Sequence, residues 1–535
     1  MRRFATHIRA SEGIAIGRAY VVRRERCVEG ETQVQWQGNA ATECARFRDA
    51  LMASELQIEA ISREEEIFAA HLEMVRDDAL REMVEGHIDE GLSAIAAVEV
   101  SETEMVAVFE AIDDEYLRER AMDVRDIFAR IKANLTGGVS NPFDGVRAGD
   151  IVVDTLLLPS DVAMMDFAKV AGVVMGEGGA TSHVCIIARS RSCPTIVGLG
   201  DVVAQIPHGV QIVVDASAGE VIVEPDEATL GEYRARMEAQ CQQRDRDREA
   251  ARVELRDAEG RKITVRANAG SVEEVRMAIE NGADGVGLFR SEFLYMLTDA
   301  EPSEIEQAEH YAAAAAACDG RPLTIRTLDV GGDKPLPYMP MPKEENPFLG
   351  WRAIRVSLEV RDVFARQLRA ILRASVAGNV RVMLPMVTSV EELREAKAFL
   401  EQCKQELRAE GVAFDEHLPL GVMIETPAAV FVARSLAAEC DFFSIGTNDL
   451  TQYVMAADRT NAKVASLCNP RSEAVVEAIR RTLEAAAEAG IECGMCGEFA
   501  SDEEATALLL DCGLRSFSVG AGVVGRIKRR VAEVV

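Results

Sequence analysis

Residues 421–450 read GVMIETPAAVFVARSLAAECDFFSIGTNDL, and this stretch decides the fold. Its two short apolar runs have the composition of strands, and the segment between them has that of a helix. The same alternation of strand and helix continues from about residue 260 to the end of the chain. The predicted strands are Ile263–Ala267, Gly285–Leu288, Leu323–Arg326, Val380–Leu384, Gly421–Ile424, Phe442–Ile445, Glu492–Met495 and Ser516–Val519. Eight such units in series predict a closed (β/α)8 barrel, a TIM barrel, over the alternative of a doubly wound open sheet.

The residues before the barrel divide into three further parts. Residues 1–22 and 145–225 carry short strands rich in Val and Ile, which predict an α/β domain. Residues 23–144 repeat apolar residues at three- and four-residue steps, so we expect an inserted helical subdomain. Residues 226–258 are highly charged, which predicts a linker helix before the barrel at 259–535. The fold class is therefore α/β and multidomain.

Composition limits the classes of partner and the compartment. The 535 residues are 48% hydrophobic and 28% charged, as expected of a globular enzyme with several domains. The formal net charge of −30 argues against nucleic acid or an anionic membrane and makes a basic protein partner plausible. No run reaches the ~18 apolar residues of a membrane span, and Met1–His7 lacks the apolar core of a signal peptide. Twelve scattered cysteines fit a reducing cytoplasm, and the lone C-x-x-C at 493–496 is weak evidence for redox chemistry.

A histidine stands just after a glycine turn in the α/β domain. Residues 178–189 read GGATSHVCIIAR, in which two glycines permit a sharp turn and a Thr-Ser pair offers helix-capping hydroxyls. His183 is therefore predicted in the first turn of a helix, where free N–H groups and the helix dipole favour an anion. This position suits a histidine that carries a phosphoryl group. Taken alone, this segment also fits an alternative interpretation, in which His183 has only a structural role in a capped helix.

Polar and reactive residues follow several predicted barrel strands. They are Arg290, Arg326, Glu425, Asn448, Asp449 and Cys496, with Arg459 nearby. The carboxyl ends of barrel strands meet at one face, so these side chains are expected to converge there. Arginines select a small anion with carboxylate and phosphate groups, and two carboxylates suit Mg²⁺ completed by substrate oxygens and water. With a thiol that could protonate an enol carbon, the set indicates phosphoenolpyruvate as the substrate.

Four longer motifs extend this interpretation to nearly the whole chain. They are DDEYLRER at 113–120, DVGGDKP at 329–335, PKEENPFLGWR at 342–352 and GMCGE at 494–498. With the segments above, the chain resembles enzyme I of the bacterial phosphoenolpyruvate:sugar phosphotransferase system. The resemblance implies a swivelling α/β phosphohistidine domain, an inserted helical subdomain, a linker helix and a C-terminal barrel. It also implies a cytoplasmic homodimer joined through the barrel.

The resemblance also assigns roles to the candidate residues. It implies that His183 is phosphorylated by phosphoenolpyruvate, with release of pyruvate, and passes the group to a histidine of the phosphocarrier protein HPr, which docks on the inserted helices. Cys496 would protonate enolpyruvate. Substrate contacts are implied for Arg290, Arg326, Arg352, Asn448, Asp449 and Arg459. Mg²⁺ ligation is implied for Glu425 and Asp449.

Three positions depart from the family pattern. Ala180 stands where relatives often have Arg, Ser291 replaces a more usual Thr, and the chain ends at Val535, where relatives usually continue.

Several other functions are alternatives to this one. Pyruvate phosphate dikinase and phosphoenolpyruvate synthase share the histidine domain and barrel, but they need a nucleotide-binding domain for which this chain has no room. A Mg²⁺-dependent barrel lyase or aldolase acting on pyruvate enolates would leave His183 without a role. A non-catalytic or nitrogen-branch regulatory paralogue is the remaining alternative.

Overall fold

The computed structural model describes most of the chain, which forms two compact units. The described residues are 1–8, 10–22, 39–62, 68–110, 115–137, 141–179, 183–191, 193–296, 300–331, 336, 338–339, 341–342, 344–461 and 463–535. The first unit comprises Met1–Cys241 and the second comprises Gln242–Val535. The part of the chain that the structure describes holds no helix long and apolar enough to cross a membrane.

The first unit is built on a seven-stranded mixed sheet. Its strands are β1 (Arg2–Ala5), β2 (Ile14–Val21), β3 (Asp150–Asp154), β4 (Val170–Met175), β5 (Thr195–Ile196), β6 (Gln211–Asp215) and β7 (Glu220–Val223), in the order β1-β7-β6-β2-β3-β4-β5. The pairs from β2 to β5 are parallel, and the other pairs are antiparallel. Strand β3 is buried over four of its five residues, as expected of a strand covered on both faces.

A helical insert lies in the chain between the neighbouring parallel strands β2 and β3. Its helices are α1 (Ala40–Ser62), α2 (Phe68–Arg76), α3 (Asp78–Asp89), α4 (Ala94–Glu110) and α5 (Glu115–Leu135). They share their own apolar core, in which Phe47, Phe68 and Phe128 are fully buried. The predicted inserted helical subdomain is therefore present, while its exact boundaries stay a prediction.

The helix that carries His183 follows a glycine turn, as the sequence predicts. The first unit holds α6 (Pro159–Ala163) and α7 (His183–Ser190), so His183 is the first residue of α7. Gly178 has a φ of +112°, which residues with a side chain rarely adopt. The predicted capping residues Thr181 and Ser182, and Ala180 with them, lie outside the described residues.

A long charged helix, α8 (Glu227–Ala251), spans the division between the units and matches the predicted linker helix. Its first turns belong to the first unit, because Leu230 and Tyr233 are buried in a cluster with Ile14, Val213 and Ile222. Its last turns belong to the second unit, where Asp247 pairs with Arg529 of the C-terminal helix at 2.7 Å. The helix is thus packed into the core of the first unit at its start and ion-paired with the second unit at its end.

The second unit is a closed eight-stranded parallel barrel. Its strands are β8 (Leu255–Arg256), β9 (Lys262–Ala269), β10 (Val286–Arg290), β11 (Leu323–Arg326), β12 (Val380–Leu384), β13 (Leu420–Ile424), β14 (Phe442–Ile445), β15 (Glu492–Met495) and β16 (Ser516–Gly520). Strands β9 to β16 follow one another around the barrel, and the pairing of β10 with β9 closes it. Strand β8 adds to β9 as an antiparallel edge. The predicted barrel is confirmed, and the open sheet is excluded.

Helices between the strands cover the outside of the barrel. They are α9 (Val272–Glu280), α10 (Glu292–Met296), α11 (Glu304–Ala317), α12 (Ile354–Glu359), α13 (Arg361–Ala374), α14 (Val390–Glu410), α15 (Pro427–Phe431), α16 (Ala433–Ala437), α17 (Thr447–Met455), α18 (Glu473–Ala489), α19 (Thr506–Asp511) and α20 (Val524–Val534). Several begin with a side-chain cap, such as Ser389 and Glu392, which form a reciprocal capping box on α14. This scaffold fixes the strand ends that carry the candidate site.

Candidate functional site

The barrel places the predicted residues of its mouth at the carboxyl ends of five strands. Arg290 and Arg326 are the last residues of β10 and β11. Glu425 directly follows β13, and Cys496 directly follows β15. Asn448 and Asp449 lie in the first turn of α17, directly after β14. Two further residues, Arg352 and Arg459, come from loops and join this set through Asp449.

Ion pairs link these side chains in an alternating chain of acids and arginines. Arg326 pairs with Glu292, and its Nη1 lies 3.0 Å from Oδ2 of Asp329. Asp329 Oδ1 in turn lies 3.1 Å from Nη2 of Arg352. Asp449 Oδ1 continues the chain, 3.4 Å from Nη1 of Arg352 and 3.7 Å from Nη1 of Arg459. Three of the predicted arginines are thus held together by three carboxylates.

The two inner arginines are buried and keep unused hydrogen-bonding capacity. The exposed fraction of Arg326 is 6% and that of Arg352 is 2%. The Nε atom of each has no hydrogen-bond partner among the described residues. A buried donor without a partner is costly, so this arrangement is typical of a site that is completed by an anion.

Glu425 is a buried carboxylate surrounded by other charges. It is 1% exposed, and its Oε1 accepts a hydrogen bond from the Met386 backbone N–H at 2.7 Å. Burial, together with the nearby carboxylates of Asp449 and Asp329, raises the pKa of Glu425 to about 8, against the lowering effect of Arg326 and Arg352. Met386 itself adopts a φ of +58°, an unusual conformation for a residue with a side chain. The backbone is therefore held in an unfavourable conformation where it orients this carboxylate.

The Cys496 thiol faces the same charges. It is 4% exposed, and burial raises its pKa to about 11, partly offset by a hydrogen bond with Ser444. Glu425, Arg326 and Arg290 also act on its charge, so the thiol lies within electrostatic range of the carboxylate and the two strand-end arginines. Cys496 is therefore a protonated thiol at neutral pH and has a proton to give.

Two further hydrogen bonds fix the backbone around the mouth. Asn448 Oδ1 accepts from the backbone N–H of Glu498 at 2.9 Å, which ties the start of α17 to the loop after Cys496. The buried hydroxyl of Ser291 donates to the backbone oxygen of Arg326 at 2.7 Å. The hydroxyl that Ser291 shares with the more usual Thr therefore has a structural role here.

His183 belongs to the first unit, and every other candidate belongs to the second. The structure therefore brings together Arg290, Arg326, Arg352, Glu425, Asn448, Asp449, Arg459 and Cys496, and it places His183 in a separate compact body. Sequence reasoning had separated the two groups in the same way.

Sequence reasoning assigned no role to two acids of the ion-pair chain, Glu292 and Asp329. Both are 2% exposed. Each lies two or three residues after a strand-end arginine, in a segment that looks like a polar loop or a helix start. The available signal was an acid two or three residues after a strand-end arginine, Glu292 after Arg290 and Asp329 after Arg326, in two successive strands.

Three family models match the chain in sequence order. Residues 7–120 match the N-terminal domain of PEP-utilising enzymes, residues 146–219 match their mobile domain, and residues 244–535 match their PEP-binding domain. Several curated proteins are similar over almost the full length of the chain.

A phosphoenolpyruvate-protein phosphotransferase of Haemophilus influenzae is 41% identical over 543 residues, covering 98% of this chain and 93% of that protein. The protein of the same name from Priestia megaterium is 40% identical over 98% of this chain and 93% of its own length. That of Bacillus subtilis is 39% identical over 98% of this chain and 94% of its own length.

Proposed function

This chain belongs to the phosphoenolpyruvate-protein phosphotransferase family, as its motifs predict, and from that premise we propose the following reaction. The chain transfers the phosphoryl group of phosphoenolpyruvate to its own His183, releases pyruvate, and passes the group to a histidine of the phosphocarrier protein HPr. The observation that carries this proposal is the barrel mouth, where three linked arginines and a buried protonated thiol lie together.

The arginines are proposed to bind the substrate. Arg326 and Arg352 each bring a buried Nε donor without a partner, and Arg459 remains 33% exposed at the outer end of the ion-pair chain. Planar guanidinium groups suit both the carboxylate and the phosphate of phosphoenolpyruvate. Arg290 and Asn448 complete the proposed contacts, because they end the strand and begin the helix that border the mouth.

Glu425 and Asp449 are proposed to hold Mg²⁺, with substrate oxygens and water as the other ligands. The donor set fits this ion, because carboxylate oxygens are hard ligands and the pKa of Glu425 is raised by burial and by neighbouring carboxylates whose charge a cation would offset. Bound there, Mg²⁺ would neutralise charge on the phosphoryl oxygens.

Cys496 is proposed to protonate the enol carbon after the phosphoryl group leaves. Its pKa of about 11 keeps the proton on sulfur until a strong base such as an enolate forms beside it. Arg326 and Arg290 then lie where they can stabilise the resulting thiolate.

His183 is proposed as the nucleophile, through a ring nitrogen of the neutral imidazole. Its position at the first residue of α7 supports this role, because free backbone N–H groups at a helix start stabilise a phosphoryl group. Since His183 and the barrel mouth belong to different units, the reaction requires the first unit to approach the mouth and then HPr. The helical insert α1 to α5 is the proposed docking surface for HPr.

We further propose that the chain acts in the cytoplasm as a homodimer joined through its barrel, at the first step of sugar uptake by the phosphotransferase system. All eleven cysteines of the described part are free thiols, which supports a reducing compartment. Sedimentation of the purified chain tests the dimer.

The proposed reaction is tested with phosphoenolpyruvate labelled in its phosphoryl group. The purified chain with Mg²⁺ and no nucleotide should acquire a label that is stable to base and labile to acid, as expected of phosphohistidine. His183→Ala should remain folded and unlabelled. A labelled His183→Ala protein would place the acceptor elsewhere, and absence of label on the unaltered chain would reject the reaction.

A further inference from the structure

An aromatic ring lies close to two of the arginines proposed to bind substrate. The ring centroid of Phe348 is 6.0 Å from the guanidinium carbon of Arg352 and 6.0 Å from that of Arg459. The same two guanidinium groups approach Asp449 Oδ1, at 3.4 Å and 3.7 Å. Two like charges are thus held near each other between a carboxylate and an aromatic ring, both of which attract cations.

The position of Phe348 is fixed by a residue of the neighbouring helix. The Tyr453 hydroxyl donates a hydrogen bond to the backbone oxygen of Phe348 and accepts one from Arg352 Nη1 at 3.4 Å. Tyr453 lies on α17, the helix that also presents Asp449. The ring and the carboxylate that flank the arginines are therefore set by the same helix.

The rest of the segment that carries Phe348 is also hydrogen-bonded. The Glu344 carboxylate accepts from the Trp351 backbone N–H at 3.0 Å and 3.1 Å. Arg355 Nη1 donates to the backbone oxygens of Leu349 and Gly350, at 3.1 Å and 2.7 Å. A Cβ at position 350 would lie 2.0 Å from the Glu344 carboxylate, so any residue other than glycine there would displace that side chain. The segment from Glu344 to Trp351 is therefore a preformed support and not a loose loop.

We propose that Phe348 and Tyr453 are positioning residues that set the distance between Arg352 and Arg459 for the phosphate of the substrate. This inference rests on the proposed function, since it assigns a purpose to arginines that the proposed function places at the substrate. The Phe348 ring lies 6.0 Å from each guanidinium carbon, and the Tyr453 hydroxyl ties the Phe348 backbone to Arg352. Neither side chain takes part in proton or phosphoryl transfer.

The proposal predicts an effect on substrate binding with little effect on the chemical step. Phe348→Leu removes the ring but keeps an apolar side chain, and Tyr453→Phe removes only the hydroxyl. Phe348→Tyr keeps the ring and serves as the conservative rescue. Tyr20→Phe is the matched control, because the Tyr20 hydroxyl likewise donates to a backbone oxygen, that of Pro142 at 2.8 Å, but in the other unit.

Two measurements are made on the full chain with Mg²⁺. Titration calorimetry gives the dissociation constant of the phosphonate analogue of phosphoenolpyruvate, whose carbon–phosphorus bond blocks transfer. Single-turnover labelling over a range of phosphoenolpyruvate concentrations gives the concentration at half-maximal rate, here KM, and the maximal rate constant, here kcat. Phe348→Leu should raise the dissociation constant and KM by about three- to thirty-fold, the range for losing partly buried cation–π contacts, while kcat stays within about two-fold. Tyr453→Phe should show a smaller rise, and Phe348→Tyr and Tyr20→Phe should match the unaltered chain.

The outcomes separate this inference from the proposed function. Unaltered phosphonate binding in Phe348→Leu, or binding as weak in Phe348→Tyr as in Phe348→Leu, would overturn the positioning role. If the unaltered chain binds the phosphonate and the variants follow the expected order while no label is transferred, the positioning role stands and the proposed function fails. If the unaltered chain does not bind the phosphonate at all, both fail.

Discussion

Replacing Asp329 by Asn should destabilise the barrel unit, although Asp329 was not among the residues predicted from the sequence. Its carboxylate lies between Arg326 and Arg352, with nitrogen–oxygen distances of 3.0 Å and 3.1 Å. The exposed fraction of Asp329 is only 2%, so water cannot replace the lost charge. Asn keeps the shape of the side chain and one acceptor oxygen, but it removes the negative charge that compensates the positive charges of two buried arginines.

The size of the effect follows from what each arginine retains. Arg326 keeps its ion pair with Glu292, and Arg352 keeps that with Asp449. The loss is therefore two charge-assisted hydrogen bonds, partly replaced by one neutral bond, and comes to roughly 3 kcal/mol. For a unit of this size, that difference lowers the midpoint of thermal unfolding by about 6 °C.

Differential scanning calorimetry of the full chain measures this shift. The matched control is Glu488→Gln, which removes a carboxylate from a two-pronged pair with Arg434 at 2.6 Å and 2.9 Å on the surface. Because Glu488 is 56% exposed, its loss should leave the midpoint almost unchanged. Equal midpoints for Asp329→Asn and Glu488→Gln would refute the reasoning, since burial would then make no difference.

Three further predictions concern the thiol, the metal ligands and the unit boundary. Burial raises the pKa of Cys496 to about 11, so its reactive thiolate is scarce at pH 8. Iodoacetamide should therefore label Cys496 far more slowly than exposed Cys241, and the rate at Cys496 should increase as the pH rises. Peptide mass spectrometry measures both rates, and equal rates would contradict the burial of Cys496. Cys496→Ser should keep phosphonate binding but lose turnover, and wild-type turnover would reduce the thiol to a packing role. Glu425→Ala or Asp449→Ala should abolish labelling by phosphoenolpyruvate and weaken its dependence on Mg²⁺, as measured in a Mg²⁺ titration of the initial rate. A fragment of residues 1–241 should exchange label with phospho-HPr but not with phosphoenolpyruvate. It should also melt at a higher temperature than a fragment of residues 1–230, because the shorter fragment lacks buried Tyr233 and the 2.7 Å ion pair of Arg236 with Asp215. Equal melting temperatures would show that these contacts contribute nothing.

The barrel strands were predictable because most of them are short, apolar and buried on both faces. Leu323–Arg326 and Val380–Leu384 coincide in sequence and structure for this reason. Strand β9 is longer than predicted, Lys262–Ala269, because it alternates apolar residues with polar ones. Asn268 is the polar residue added at its carboxyl end, and its partner, the backbone oxygen of Cys496, cannot be seen in the sequence.

Residues of the candidate site were predictable where a reactive side chain ends or directly follows a strand, and they were less predictable elsewhere. Arg290, Arg326, Glu425 and Cys496 all end or follow strands, so an apolar run with a reactive residue behind it was enough. Glu292 and Phe348 received no role because a charge at a helix start and an aromatic residue within a longer motif are both common. Their roles arise only when the closed barrel brings distant segments within a few ångströms.

The parallel pairing of β2 and β3 has a consequence for how the chain is made. The chain leaves β2 at Val21 and re-enters the sheet at Asp150, and Val21 pairs with Val153. The roughly 130 residues between them emerge from a ribosome over about ten seconds, during which β2 has no neighbour from the rest of its sheet. The helices have a core of their own and are complete before β3 appears. During synthesis the helical insert is therefore favoured to fold first. The sheet assembles afterwards on β2, although β2 was synthesised before the insert.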